Sequence, residues 1–567
     1  MAEMCSADDG ASSCPSPSSS SMIMHAKGLT HTIVPLLCAA PLLAFFVLPL
    51  LWRALGSALG WYLRKKTEGR RCVILQIVAA ESEMYRQSRQ NSASNIKVDD
   101  DAGWDALDPE NRDKSLDDWD GIVGFFHPFC NAGGGGERVL WAAIRATQHR
   151  WPKAKCVVYT GDHDVSKDAI LARVRSRFNI HLHPPTVNFL YLSTRRWVLA
   201  STWPRFTLAG QSFGSLVLAW DAFSLLVPDL FVDTMGYAFA LGLSKLLFPR
   251  VPTAAYVHYP TISTDMLDSL APAAGPARGV NAGQGAGSRG AAKKLYWRAF
   301  AALYARVGAS ADVVMTNSSW TQGHIVALWG PHRRAARGHP IAVVYPPVAV
   351  RELEAEVDVS RESERGREKT LLYIAQFRPE KNHQLILEAF AQFLKTGSKA
   401  ATEGARLVLV GSVRDDSDSK RVYELRLLVN ELHIRDRVEF HLDAPWPEIL
   451  EWLRRASVGV NGMWNEHFGI GVVEYQAAGL VAVVHDSGGP KLDIVVDVDG
   501  EPTGFHATTA AEFAQGFEKA LTLPDPYAVR QRARKSAKRF TEEEFARRWT
   551  DQMEQLVAEG VGKKRRA

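Results

Sequence analysis

The sequence predicts two doubly wound α/β domains of Rossmann type, facing one another across a cleft behind an N-terminal transmembrane helix. Three observations carry this. Apolar strand-like runs alternate with helical segments twice over, between 119 and 345 and again between 370 and 540. Such alternation builds parallel sheets with helices on both faces. The length of 567 residues exceeds what one hydrophobic core supports. Finally, Thr32 to Trp52 contains no charged residue, and such a run is long enough to cross a bilayer.

Residues 1–31 are rich in Ser, Pro and Met and read as a disordered tail. The anchor with its juxtamembrane segment covers 32–63, with its core from Ile33 to Leu51. Pro35, Pro41 and Pro49 interrupt the core, and transmembrane helices tolerate proline. Arg53, Arg64, Lys65, Lys66, Arg70 and Arg71 follow it, against Lys27 and histidines before it, so the C-terminal side is expected in the cytosol. The apolar run is long for a cleaved signal peptide and no A-x-A site follows, which favours a retained anchor.

Residues 64–118 form a basic juxtamembrane stretch and then, from 81, a polar acidic segment expected as a loop. The first domain covers 119–345. Its strands are expected at 121–126, Cys156–Thr160, Leu230–Asp233, Thr253–His258, Val313–Thr316 and Ile341–Tyr345. Leu140, Ala143, Ile144 and Thr147 fall on one helix face. The Gly/Ala-rich segment 271–292 reads as a flexible insertion.

A linker, 346–369, leads to the second domain, 370–540. Its strands are expected at Thr370–Ile374, Arg406–Val410, Val438–His441, Val458–Val460 and Val481–His485. Thr541 and Glu544 make a capping box, with Phe540 and Phe545 as its hydrophobic staple, for a helix over 541–558. Residues 559–567 form a basic tail.

A net charge of +5 is mild and gives no reason to expect a nucleic-acid partner. The six cysteines show no C-x-x-C spacing, and none follows Cys156. The C-terminal 400 or so residues are therefore expected in a reducing compartment without a disulfide framework.

Four stretches carry candidate chemistry. Asn131 to Arg138 joins a strand to a helix through Gly133, Gly134, Gly135 and Gly136. Such a loop can wrap a phosphate or sugar at a helix N-terminus, and it lacks the Gly-Lys-Ser/Thr of a nucleotide-hydrolysing P-loop. Gln376 to Asn382 follows the first strand of the second domain. Arg378 and Lys381 there are two cations suited to a diphosphate, with Asn382 as a candidate N-cap. His258 ends a first-domain strand, where ligands bind in such sheets. The stretch Asn465 to Gly479 reads as glycine loop and helix, with Glu466 and Glu474 eight apart and Gly469 and Gly471 between them. From these residues alone, a surface loop fits as well as two carboxylates holding different hydroxyls of one elongated ligand. Asp162 and Asp164 offer a D-x-D pattern, but no second carboxylate cluster accompanies it, so solvated turn residues are expected and no metal site.

The spacing of Glu466 and Glu474, with Arg378 and Lys381, resembles the retaining GT-B glycosyltransferases of family 4. Longer strings, Phe125 to Trp141, Gly210 to Ser212, Asp233 to Phe239 and Val257 to Leu267, resemble the dolichol-linked α-1,2-mannosyltransferases within it. The resemblance runs from about Arg53 to about Leu556. It implies a GDP-mannose donor, a dolichol-diphosphate-linked oligosaccharide acceptor, and two α-1,2 additions, to Man3GlcNAc2 and then Man4GlcNAc2. It also implies residence in the endoplasmic reticulum membrane with the catalytic domains in the cytosol, other mannosyltransferases of the pathway as partners, and no cofactor or metal. In that family Glu466 would bind the mannose hydroxyls at the catalytic centre, with His258 across from it. Glu474 would hold the ribose, Arg378 and Lys381 the diphosphate with the Gly469 and Gly471 loop, and Gly133 to Gly136 would line the first-domain side. The rival readings are an α-1,3/α-1,6 mannosyltransferase of the same pathway and an inactive membrane scaffold.

Overall fold

A computed structural model describes residues 19–92, 116–271, 284–333 and 339–565, without the side chains of 19–46, 89–92 and 563–565. The first sheet has seven strands. They are β1 (Ile122–Phe126), β2 (Lys155–Thr160), β3 (Val187–Tyr191), β4 (Leu230–Asp233), β5 (Thr253–Val257), β6 (Val313–Thr316) and β7 (Ala342–Val343), in the order β3-β2-β1-β4-β5-β6-β7. The second has six: β8 (Glu368–Ile374), β9 (Arg406–Gly411), β10 (Val438–Leu442), β11 (Ala456–Asn461), β12 (Val481–His485) and β13 (Gly504–Ala507), in the order β10-β9-β8-β11-β12-β13. All these pairings are parallel. Every residue of β1, β4, β5, β6 and β12 is buried, as strands covered on both faces require. In each sheet the order reverses beside the first strand, between β1 and β4 and between β8 and β11. A crevice therefore opens there at the C-terminal strand ends.

Two strands were not legible. β3 and β13 lie at sheet edges, and each is only partly buried. An edge strand needs no continuous apolar run, so its signal in sequence is weak.

The N-terminal helix runs from Ser19 to Ser92. It begins inside the expected tail and continues through much of the segment expected as a loop; 93–115 lie outside the described residues. From residue 56 it is part of the first domain. A Cβ on Gly60 would stand 1.8 Å from the Leu247 carbonyl oxygen, so only glycine admits this approach of helix to helix. Leu63, Ile74 and Val78 are buried beyond it. Arg71 pairs with Asp229 at 2.5 Å, and Asp229 also accepts from the Ile122 N–H at the start of β1. Among the described residues no helix is long and apolar enough to cross a membrane; the side chains of 32–46, most of the expected span, are not among them.

The last helix, Glu542–Arg565, extends past its expected end and packs under the first domain rather than the second. Phe545, Trp549, Met553 and Leu556 are buried there, and the Trp549 indole donates to Thr147 Oγ1 at 3.1 Å. Glu542 accepts from Arg138 at 2.5 Å and also from Arg145. The staple does not form. Phe540 packs on Tyr345 and Phe468, whereas Phe545 joins Trp549 and Tyr256, so the pair brackets the point where the chain leaves one core for the other. Of the 271–292 insertion, 272–283 lie outside the described residues, and its end opens the helix Gly287–Gly308.

Candidate active site

A pocket of 280 Å³ lies in the cleft, walled by both domains. The first domain contributes Gly135, Gly136 and His258; the second contributes Lys381, Glu466, Gly469 and Gly471. Larger cavities of 650 and 940 Å³ lie elsewhere on the first domain and contain none of these residues.

Register explains the first-domain wall. Phe126 at the end of β1 is level with Asp233 at the end of β4, so His127, Thr234 and His258 meet on one rim. His127 Nδ1 lies 2.7 Å from Thr234 Oγ1. His258 Nε2 is buried without a hydrogen-bond partner among the described residues. Burial first, and then the His467 ring, push the His258 imidazole down to about 4, so it is neutral at neutral pH. Beside it stands the N-terminus of the helix Gly135–Arg150. A Cβ on Gly136 would lie 3.8 Å from His258 Nε2, and one on Gly135 would lie 2.7 Å from Ile470 Cδ1 of the other domain. These glycines let the domains approach. Gly133 and Gly134 stand outside the pocket. Gly133 has φ +79° and packs on Arg177, and the Gly134 N–H donates to Glu137 at 2.6 Å.

The second-domain wall is the glycine loop opening the helix Ile470–Ala477, with Gly469 at φ +107° as its N-cap. Glu466 pairs with Lys381 at 2.5 Å, with side chains 14% and 22% exposed. Burial alone would raise the Glu466 carboxyl. The Lys381 ammonium overcomes it and holds the group below the ordinary carboxylate range. Two helix N-termini, each a partial positive charge with free N–H groups, thus face a pocket that also holds a lysine. That environment suits an anion.

Arg378 is not there. Lys381 belongs to the tight turn Pro379–Lys381, whereas Arg378 precedes it in extended conformation (φ −113°, ψ 154°). Its side chain therefore leaves in another direction and lines a neighbouring 220 Å³ depression with His383 and Arg421. Asn382 occupies the N-cap of the next helix at φ 51°, but its side chain makes no capping bond. Glu474 is half-buried and does not line the pocket. Burial pushes its carboxyl up to about 7, opposed by Arg138.

Asp162 is a structural group. It accepts from the Asn131 N–H at 3.1 Å and pairs with Arg195, tying down the start of the glycine loop. Among the described residues no group of three or more His, Cys, Asp or Glu could hold a metal.

Three features escaped the sequence reading. Arg138, directly after the glycine loop, lies between Glu542 and Glu474. Gly488 and Gly489 cradle the loop: the Gly489 N–H donates to the Glu466 carbonyl at 2.8 Å, and Gly488 at φ +67° leaves no room for a Cβ. The run Ser487-Gly488-Gly489-Pro490 after a strand was the available signal. The third is a set of bonds across the cleft. Asn465 Nδ2 donates to Asp265 Oδ2 at 2.6 Å, and His467 stacks on Tyr259 with centroids 4.1 Å apart. No local pattern announces such partners.

Residues 120–329 match the family model described as "ALG11 mannosyltransferase N-terminus", and 356–540 match "Glycosyl transferases group 1". A Neurospora crassa protein named GDP-Man:Man(3)GlcNAc(2)-PP-Dol alpha-1,2-mannosyltransferase is 73% identical over 546 residues, 94% of this chain and 98% of that protein. A Homo sapiens protein of the same name is 42% identical, covering 77% of this chain and 87% of its own length. Among solved structures, Anabaena Alr3699/HepE in complex with UDP and glucose superposes with a TM-score of 0.50 at 15% identity, covering 76% of this chain and 99% of that one. The Candida albicans trehalose-6-phosphate phosphatase N-terminal domain gives 0.57 at 12%, covering 80% and 99%. At that identity the structures speak for the fold alone: two parallel sheets in the GT-B arrangement.

Proposed function

We infer the function from family: this chain belongs to the GDP-Man:Man(3)GlcNAc(2)-PP-Dol alpha-1,2-mannosyltransferases, and the cleft is read as their active site. It is an enzyme that transfers mannose from GDP-mannose to the dolichol-linked Man3GlcNAc2 oligosaccharide in α-1,2 linkage. The observation that carries the site is the Lys381–Glu466 pair between two helix N-termini.

In this reading the donor diphosphate lies against Lys381 and the N-terminus of Ile470–Ala477, where charge on the leaving GDP is stabilised as it grows. Glu466 accepts from mannose hydroxyls, and Glu474 beside Arg138 accepts from the ribose. Neutral His258 offers a bare ring nitrogen to the sugar from the other side. GDP-mannose is an α-glycoside, so an α-linked product means retention. We propose front-side attack by the acceptor hydroxyl, assisted by the leaving diphosphate, with two successive additions and no metal.

The helix Ser19–Ser92 is proposed as a retained anchor in the endoplasmic reticulum membrane, with both domains cytosolic and other mannosyltransferases of the pathway nearby. Exposed Leu48, Leu50, Leu51, Trp52, Leu55 and Trp61 support an apolar setting for its upper part. Exposed Phe206 and Phe213, near Arg196 and Arg205, support contact of the first domain with the same surface. Anchoring raises the local concentration of an acceptor confined to the bilayer.

The test is incubation with GDP-mannose and defined lipid-linked acceptors. Man3GlcNAc2 is expected to gain one and then two α-linked mannoses, with activity undiminished in EDTA. Product from Man1 or Man2 acceptors but not Man3, or strict Mn2+ dependence, would overturn the reading.

A further inference from the structure

Glu466 has neighbours that both hold the opposite domain. On one side Asn465, in the left-handed region at φ +50°, donates from its backbone N–H to Ser487 Oγ at 2.7 Å and from Nδ2 to Asp265 Oδ2 at 2.6 Å. On the other side the His467 ring stacks on Tyr259, with centroids 4.1 Å apart and planes at 23°, and on Trp320 at 5.4 Å. Asp265 has its own first-domain neighbours: His324 Nε2 lies 3.4 Å from its Oδ2, and the His324 ring is held in turn by Thr264 Oγ1, 2.7 Å from Nδ1, and by edge contact with Trp320. One first-domain cluster therefore grips the residues before and after the glutamate.

We propose that Asp265 and Asn465 are positioning residues for Glu466, so that the donor-sugar grip of the second domain is completed only when the first domain closes on it. This rests on the reading of Glu466 as a sugar-binding group. Without this pin the glutamate keeps its Lys381 partner and the Gly489 N–H on its carbonyl, but its loop is left with the His467 stack as its remaining support from across the cleft. The sugar of bound GDP-mannose is then held in reactive geometry only in the closed cleft, which limits wasteful transfer to water.

The test uses the full chain in detergent or nanodiscs. Asn465→Asp sets two carboxylates against each other. Asp265→Asn alone still offers an amide oxygen to Asn465. The two together restore one donor and one acceptor with roles exchanged. Asn465→Asp is expected to lower kcat/KM for GDP-mannose by about 30-fold or more, as for loss of a charged hydrogen bond, with Kd for GDP changed less than about twofold because the nucleotide contacts stay. The double variant is expected to recover to within about fivefold of wild type. Amide hydrogen exchange over 463–469 should speed up in Asn465→Asp and slow again in the double variant. That readout tests the pin whatever the sugar, so it separates failure of this proposal from failure of the assigned activity. A double variant no better than Asn465→Asp, unchanged exchange, or GDP affinity falling in step with kcat/KM would overturn it.

Discussion

Replacing Lys381 with methionine removes the cation that pairs with Glu466 while keeping the volume of the stem. The two charges stand 2.5 Å apart. At an effective dielectric near 20 their attraction is about 7 kcal/mol, most of which offsets the burial of both groups. Removing one partner leaves the other charge uncompensated, at about 3–5 kcal/mol for a buried pair. The side chains are 22% and 14% exposed, so water reaches them and the lower end, about 3 kcal/mol, applies. For a domain of this size each kcal/mol is roughly 2–4 °C, giving a fall of about 6–12 °C.

The pH dependence has a definite sign. In the wild type Lys381 holds the folded carboxyl below its unfolded value of 4.5. The stabilisation is therefore present above 4.5 and is lost as pH falls through the folded value. In Lys381→Met burial, the largest influence, is opposed only by the weaker effects of His467 and Asn461, and it raises the carboxyl. The penalty is then present at high pH and relieved in acid, so the gap between the two proteins is widest near pH 8 and narrows toward pH 5. Thermal unfolding across that range measures it, and Lys381→Met with Glu466→Gln should recover most of the loss at pH 8. A gap that does not change with pH, with no recovery in the double variant, would refute the reasoning.

Glu474 has the opposite sign. Burial raises its folded carboxyl to about 7, so its contribution is fully present below about 4.5 and lost as pH passes 7. Glu474→Gln should gain up to about 3 kcal/mol at pH 8 in denaturant unfolding and nothing at pH 4, while binding GDP more weakly. Gly488→Ala puts a Cβ 2.2 Å from the Glu466 carbonyl oxygen at φ +67°. It should cost about 3 kcal/mol and abolish transfer, whereas Gly500→Ala, at φ +80° with nothing within 4 Å, should cost only about 1 kcal/mol. Gly60→Leu should lift the N-terminal helix from the first domain and speed limited proteolysis between 64 and 88, whereas Gly69→Leu, with nothing within 4 Å, should not.

The central strands were legible because each is buried on both faces and so reads as an uninterrupted apolar run. β4, β6 and β12 fall at the expected residues. β3 and β13 were not, because an edge strand carries half of that signal. In the site, the glycine loops and the two glutamates were visible as strand–loop–helix junctions, and Lys381 was visible beside them. The direction of the Arg378 side chain was not, because it depends on one residue's backbone angles rather than on its spacing from Lys381. The helix Ser19–Ser92 was read in pieces, since its polar half turns only a thin stripe, Leu63, Thr67, Ile74 and Val78, to the core and is otherwise held by contacts such as Gly60 on Leu247 and Arg71 on Asp229.

By itself the sequence determined the parallel α/β class, the division into two sheets, and the glycine loops with the charged residues beside them. Each of these is a local property, encoded in periodicity, in left-handed backbone positions and in charge next to a helix start. Only the tertiary structure decided which domain the last helix completes, which cation faces Glu466, and that Asp265 and Tyr259 hold the residues on either side of it. The Asp265 and Tyr259 contacts join positions about 200 residues apart in the chain. They exist only once two separately encoded sheets are set face to face, and no local pattern carries that placement.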